Sequence, residues 1–195
     1  MKLENIVVFC GSSKGYSSIY EQAAIELGNY FAKNNLQMVY GGGKVGLMGV
    51  VANTVLDQKG KVIGVIPNLL RKEEVIHAGV TELIVTDTMS ERKVTMSKLI
   101  DGYIALPGGF GTLDELFEAL TLQQLHIEQK PVGVLNINGF FDATLKQLDF
   151  MVKEGFLKPE NRAFLLVDTT VEGLMEQMKN YKAPEKKDII DKVVR

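Results

Sequence analysis

GYIALPGGFGTLDEL, residues 102–116, joins an apolar run to three glycines and then to an acidic pair. The run Tyr103 to Leu106 carries no charge, which suits a strand covered on both faces. Glycines directly after a strand let the backbone turn sharply and free its amides. Thr112 and Glu115 have the T-x-x-E spacing of a helix capping box. The stretch therefore reads as strand, glycine turn and helix. Its turn is either an ordinary capped helix start or a cradle for a small anion.

The same unit recurs along the chain. Short β-rich runs occur at NIVVFC (5–10), LQMVYG (36–41), KVIGVIP (61–67), TELIVTD (81–87), GYIALPG (102–108), PVGVLNI (131–137) and FLLVDT (164–169). Helical patterns separate them. The first carries Ser18 and Glu21 as a capping box, with Ile19, Ala23, Leu27 and Phe31 as a buried stripe. Others are expected near 45–58, 90–101, 113–126, 141–155 and 171–182. This alternation predicts a doubly wound α/β fold, a mostly parallel sheet of about seven strands with helices on both faces. Right-handed crossovers gather the loops after the strands on one edge, where such sheets bind ligands.

With 195 residues, the chain fits one compact unit, expected over 1–183, followed by a charged tail at 184–195. Lys plus Arg is 22 and Asp plus Glu is 24, a net charge of −2. That balance gives no general attraction to nucleic acid or an anionic membrane, so an anion site has to be local. Cys10 stands alone, and no apolar stretch approaches the 18 residues of a membrane span. A reduced, cytoplasmic protein is the expectation.

Three strands run into glycine-rich turns: FCGSSKG (9–15), YGGGKVGLMG (40–49) and LPGGFGT (106–112). Backbone amides and a helix N-terminus make phosphate the natural guest of such turns. Gly41, Gly43 and Gly46 satisfy G-x-G-x-x-G. The following strand, however, ends Val65, Ile66, Pro67, Asn68, without the acidic residue that a dinucleotide site needs for its ribose. The P-loop pattern is absent as well. A phosphorylated metabolite is the better expectation.

In DTMSERKVTMSKLID (87–101), Thr88 and Glu91 form a second capping box, which sets Arg92 and Lys93 in the first turns of a helix. Cations at that end cost roughly 0.3–1 kcal/mol each. Either both point into water or a nearby anion compensates them, and Arg is the better partner for a carboxylate or phosphate. Glu115 is either a capping residue or a free carboxylate beside the cradle. Asp114 and Glu115 next to a phosphate would require opposing cations, and Arg92 and Lys93 are the candidates. His77 and His126 lack metal-ligand spacing, Cys10 reads as a small apolar residue, and Met89 is either core filler or the wall of a base pocket.

Met89-Ser90-Glu91-Arg92-Lys93, followed by LPGGFGTLDE (106–115), resembles the M-x-x-R-K and P-G-G-x-G-T-x-x-E signature of the LOG ("lonely guy") family of cytokinin riboside 5′-monophosphate phosphoribohydrolases, long labelled possible lysine decarboxylases. CGSSKG (10–15) and VYGGGKVGLMG (39–49) are similar to its two earlier turns. The resemblance covers about residues 5–137. It implies a Rossmann-like fold, a homodimer, no metal and no organic cofactor. It also implies cleavage of the N-glycosidic bond of an N6-modified AMP. It puts the catalytic arginine and glutamate on Arg92 and Glu115, and phosphate and sugar contacts on Lys93, Gly108, Gly109, Gly111 and Thr112. Glu74 and Thr121 align with further substrate contacts. Gly11, Ser12, Ser13, Gly42 and Gly43 in the earlier turns, with Met89, Phe110, Leu113 and Asp114, complete the expected substrate-binding set. Two positions depart from the common pattern: Ser90 stands where histidine is frequent, and Asp114 where glutamate is.

The chemistry is coherent with these residues. Breaking an N-glycosidic bond builds positive charge on the ribose, which a neighbouring carboxylate stabilises while taking a proton from water. A pyridoxal-phosphate decarboxylase would need a Schiff-base lysine with a phosphate cup and a pyridinium partner, and no lysine has such a setting. The rival class is a nucleotide or pterin carrier of the same fold, which would need the glycine turns but not Arg92 and Glu115 together.

Overall fold

The computed structural model describes residues 2–72 and 76–183. Its strands are β1 (Asn5–Phe9), β2 (Gln37–Tyr40), β3 (Val62–Pro67), β4 (Glu82–Thr86), β5 (Gly102–Ala105), β6 (Val132–Leu135) and β7 (Leu165–Asp168). All pair in parallel, in the order β4-β3-β2-β1-β5-β6-β7. The seven strands are those expected from the apolar runs, each trimmed by a residue or more at its ends.

The helices are α1 (Ser18–Lys33), α2 (Gly46–Asp57), α3 (Met89–Lys98), α4 (Phe110–Gln124), α5 (Asp142–Lys153), α6 (Pro159–Arg162) and α7 (Val171–Asn180). Of these, α1 to α6 lie in crossovers between strands, β3 and β4 are joined through a 3-10 segment at Asn68–Lys72, and α7 follows β7. Alternate residues of each strand feed opposite cores. On one face Ile6 and Val8 of β1 pack with Leu27, Phe31, Val51 and Leu174 under α1, α2 and α7. On the other, Val7 and Phe9 pack with Met96, Leu116 and Leu148 under α3, α4 and α5. The sheet is therefore doubly wound and Rossmann-like. The chain leaves β1 in one direction through β2, β3 and β4, then returns to lay β5 on its other side. The switch point between β1 and β5 is where such sheets form a crevice.

Three local expectations are corrected. Helix α1 is capped by Ser17, whose hydroxyl accepts from Ile19 N, while Glu21 pairs with Lys14 at 2.6 Å instead of closing a box with Ser18. Ile19 is 44% exposed, so the buried stripe begins at Ala23. Helix α4 starts at Phe110 rather than Leu113, with Gly109 as N-cap and no capping side chain. Thr112 is thus inside the helix and buried, and no Thr112–Glu115 capping box forms. On α3 half of the expected box forms: Thr88 Oγ1 accepts from Glu91 N at 3.0 Å, while Glu91 Oε2 accepts from Asp87 N, one residue before the N-cap, at 2.9 Å.

Candidate active site

Helix α4 begins early because Gly108 has no side chain. A Cβ there would collide with Thr112 Oγ1 and lie 2.8 Å from Gly11 N, so Thr112 folds back over the turn instead of capping it. The three turns interlock in the same way. Gly11 N donates to Pro107 O at 3.0 Å, and Leu47 N donates to Gly11 O at 3.0 Å. Gly46, at φ +63°, presses on the Ser12 carbonyl where no larger residue fits.

Two glycines of the opening stretch behave differently. Gly109 and Gly111 face open space, with nothing within 4 Å of where a Cβ would stand. The first hydrogen bond within α4 is Leu113 N to Gly109 O, 3.2 Å. The amides of Phe110, Gly111 and Thr112 precede it and have no acceptor inside the helix. Without a capping oxygen over them, they form an anion-binding terminus. Beside it lies a cavity of about 290 Å³ walled by Gly11, Ser12, Ser13, Lys14, Gly108 and Gly109, with Tyr20 and Phe140 behind.

Arg92 does not point into water. It is 8% exposed, on the fourth residue of α3, and reaches across the end of β3 towards α4. Its Nε donates to Val65 O at 3.0 Å and its Nη1 to Glu115 Oε1 at 2.8 Å. Lys93 Nζ lies 2.7 Å from Asp114 and 2.8 Å from Glu118. The acidic pair and the basic pair therefore neutralise one another across the two helices, which also offsets the cost of cations at a helix N-terminus. Burial holds the Glu115 carboxyl above the ordinary glutamate range, although Arg92 and Lys93 pull it down. A buried carboxylate gripped by arginine is a candidate for proton transfer.

From Glu115 a second cavity, about 280 Å³, runs between α3 and α4. Val94, Ala119, Leu122 and Ile127 make its walls, and Ser97 and Glu128 close its far end. There Glu128 accepts from the Ser97 and Tyr103 hydroxyls. Burial pushes the Cys10 thiol up, with Glu115 adding to the effect, and Cys10 packs as the small apolar residue expected.

The structure thus brings together Gly11, Ser12, Ser13, Lys93, Gly108, Gly109, Gly111, Thr112, Asp114 and Glu115 with Arg92. Met89 and Phe110 stand exposed, and Leu113 half-buried, on the first turns of α3 and α4. Gly42 and Gly43 do not reach the open cavities. They are buried, with Gly42 O accepting from His77 N at 2.9 Å and Gly43 bridged to Ile76. Thr121 is on an exposed face of α4, its hydroxyl donating to Phe117 O, away from the Arg92–Glu115 pair. Glu74 and the tail at 184–195 lie outside the described residues. Glu118 and the Val65 carbonyl were not anticipated. The four-residue step from Asp114 to Glu118, which shares one helix face, was a usable signal for the first; nothing in the sequence pointed to the second. Among the described residues, no group of three or more His, Cys, Asp or Glu is arranged for a metal ion, and no helix is long and apolar enough to cross a membrane.

Fold and site define a Rossmann-like α/β protein with an open helix terminus beside a buried Arg–Glu pair. The model of a family described as "Possible lysine decarboxylase" matches residues 48–178. Cytokinin riboside 5′-monophosphate phosphoribohydrolase LOG3 of Arabidopsis thaliana is 43% identical over 92% of this chain and 84% of its own. LOG of Oryza sativa subsp. japonica, of the same description, is 43% identical over 92% of this chain and 74% of its own. The chain belongs to the LOG family. Among solved structures, the molybdenum cofactor binding protein of Rippkaea orientalis superposes with a TM-score of 0.69 at 23% identity, covering 92% of this chain and 98% of that one. The molybdenum cofactor carrier protein of Chlamydomonas reinhardtii gives the same TM-score and identity. These likenesses are of fold. The family description notwithstanding, two lysines at this edge are already engaged: Lys93 is held by two carboxylates, and Lys14 is paired with Glu21.

Proposed function

We propose that the protein is a phosphoribohydrolase that cleaves the N-glycosidic bond of AMP or an N6-modified AMP, giving free base and ribose 5-phosphate. The observation that supports this most directly is the buried Arg92–Glu115 pair, 2.8 Å apart, one helical turn from the open α4 terminus. The 5′-phosphate anchors on the Gly109–Thr112 amides and holds the ribose beside Glu115, so remote binding energy positions the bond. Water attacks C1′ as the bond to the purine nitrogen breaks. Ionised Glu115 faces the developing oxocarbenium ion, and takes the water's proton as the water adds to C1′. That proton returns to the departing purine, so the cycle consumes no net acid or base. Arg92 keeps the carboxylate aimed and ionised. Purified protein without added metal is expected to release base and ribose 5-phosphate from AMP or N6-isopentenyl-AMP, read by chromatography. Tight nucleotide binding without release would replace this reading by a carrier.

The α3–α4 cavity is the proposed seat of the N6 substituent, because it starts at Glu115 and is lined with apolar side chains. Val94→Trp should fill it at little risk to the fold, since Val94 is 52% exposed. Turnover efficiency with N6-isopentenyl-AMP is expected to fall at least tenfold while that with AMP changes less than threefold. Equal losses for both substrates would remove the substituent from this cavity. We further propose that residues 1–183 act as one nucleotide-binding unit in the cytoplasm and pair as a homodimer. The exposed rings of Phe117, Phe150 and Phe156 support a covered surface, and a monomeric mass by light scattering at micromolar concentration would end the dimer.

A further inference from the structure

We propose that Gly41 is a positioning residue for this site: by lacking a side chain, it leaves the space in which the Arg92 guanidinium lies against Glu115. In its kinetic part the inference rests on the phosphoribohydrolase reading. Gly41 follows the last residue of β2. A Cβ built there would overlap Arg92 Nη2 and stand 3.5 Å from Arg92 Cζ and 3.6 Å from Met48 Sδ. On its other sides the guanidinium is fixed by Val65 O at 3.0 Å and Glu115 Oε1 at 2.8 Å. It lies between the backbone of β3 and that just after β2, and among the described residues Glu115 is the carboxylate it pairs with.

Backbone conformation does not explain this glycine. Gly42 and Gly46 have φ of +75° and +63°, a region that disfavours side chains, whereas Gly41 is not among the positive-φ residues. An alanine is permitted there by the chain itself. The atom it would strike is the far end of a long side chain rather than backbone, so the arginine and not the sheet has to yield. A methyl group at position 41 thus has one main consequence: it drives Nη2 away from β2 and turns Nη1 off Glu115. The glycine spacing at 41, 43 and 46, which on paper belongs to dinucleotide sites, here makes room for an arginine, a strand-like bridge to Ile76, and a tight approach to Ser12.

The test is Gly41→Ala, compared with wild type by crystal structure, melting temperature and steady-state kinetics. The variant is expected to fold, with the Arg92–Glu115 contact broken and kcat lowered at least tenfold. Among the described residues, the charged and titratable groups facing Glu115 are Arg92 and Lys93 from α3, Asp114 beside it and Glu118 one turn further on α4, and Cys10 after β1. Of these, Arg92 is the main one that lowers its carboxyl, so the acid limb of the kcat profile should move to higher pH. A purely structural loss of active molecules would lower kcat without moving that limb. The melting-temperature cost of Gly41→Ala should also be at least halved in the Arg92→Lys background, because lysine has no Nη2. An intact 2.8 Å contact, a kcat within twofold of wild type, or an equal melting cost in both backgrounds would each overturn the proposal. If wild type itself shows no turnover, the phosphoribohydrolase reading fails, while the variant structure and the melting comparison still decide the role of Gly41.

Discussion

Glu115→Gln is expected to lower kcat for nucleotide hydrolysis by about 10²–10⁴-fold, the usual worth of a positioned general base, with KM changed much less. Glutamine keeps the shape of the side chain and an oxygen that can accept from Arg92 Nη1. What it removes is the charge and the ability to take a proton. The proposed 5′-phosphate seat, the α4 amides one turn away, is untouched by the substitution, so binding should persist while the chemical step fails. Initial rates from chromatographic separation of base and nucleotide, with far-UV circular dichroism as the folding control, give the measurement. A variant with kcat within threefold of wild type would take Glu115 out of the mechanism. In wild type, activity should be lost as pH falls through the Glu115 pKa. Because burial sets that carboxyl above its ordinary range, the acid limb should lie higher than an exposed glutamate would give.

Arg92→Ala should have the second largest effect, lowering kcat/KM by about 10²-fold or more, the scale seen when a preorganised charge-stabilising donor is removed. Two consequences follow from geometry. Glu115, whose side chain is only 12% exposed, loses its charged partner, so its pKa rises further and the acid limb moves to higher pH. Stability then becomes pH-dependent in a defined sense. With its folded-state pKa above the unfolded value, Glu115 is accommodated best when protonated, and stability falls as pH rises through the folded pKa. Breaking a buried pair costs about 3–5 kcal/mol when the remaining charge cannot neutralise, and protonation relieves part of that at low pH. The melting-temperature gap between wild type and Arg92→Ala should therefore widen from pH 5 to pH 8. A constant gap with an unshifted acid limb would mean that Arg92 does not govern the ionisation of Glu115.

The strands were legible because each is a short apolar run bounded by charge or glycine, a pattern that local preference and burial both favour. Doubly wound topology followed from the strand–helix alternation. The start of α4 was not legible, for a specific reason. T-x-x-E is a sound capping signal when nothing else competes for the glutamate. Here Arg92, 23 positions away in sequence, takes the carboxylate, and Gly108 opens the space that draws Thr112 inward. Ser17 in place of Ser18, and the exposure of Ile19, are boundary errors of the ordinary kind, since adjacent serines offer equivalent caps. The short helix at Pro159–Arg162 and the 3-10 segments at Asn68–Lys72 and Ile137–Gly139 are too brief to carry a period. In the site, charge complementarity between Arg92–Lys93 and Asp114–Glu115 could be anticipated from residue types. Which cation meets which carboxylate, and that Val65 contributes a carbonyl, depends on the crossing of α3 and α4.

The interlocked turns also set an order of events during synthesis. Gly11 N is bonded to Pro107 O, so the first turn waits for a partner that emerges nearly a hundred residues later. At bacterial and eukaryotic elongation rates that delay is roughly 5–20 s, during which β1 and its glycine loop exist without the strand that completes them. Arg92 likewise leaves the ribosome before Glu115 and stays a solvated cation until α4 arrives. The nascent chain therefore holds no working centre until β5 inserts beside β1, and the appearance of hydrolytic activity on ribosome-bound chains would time that insertion.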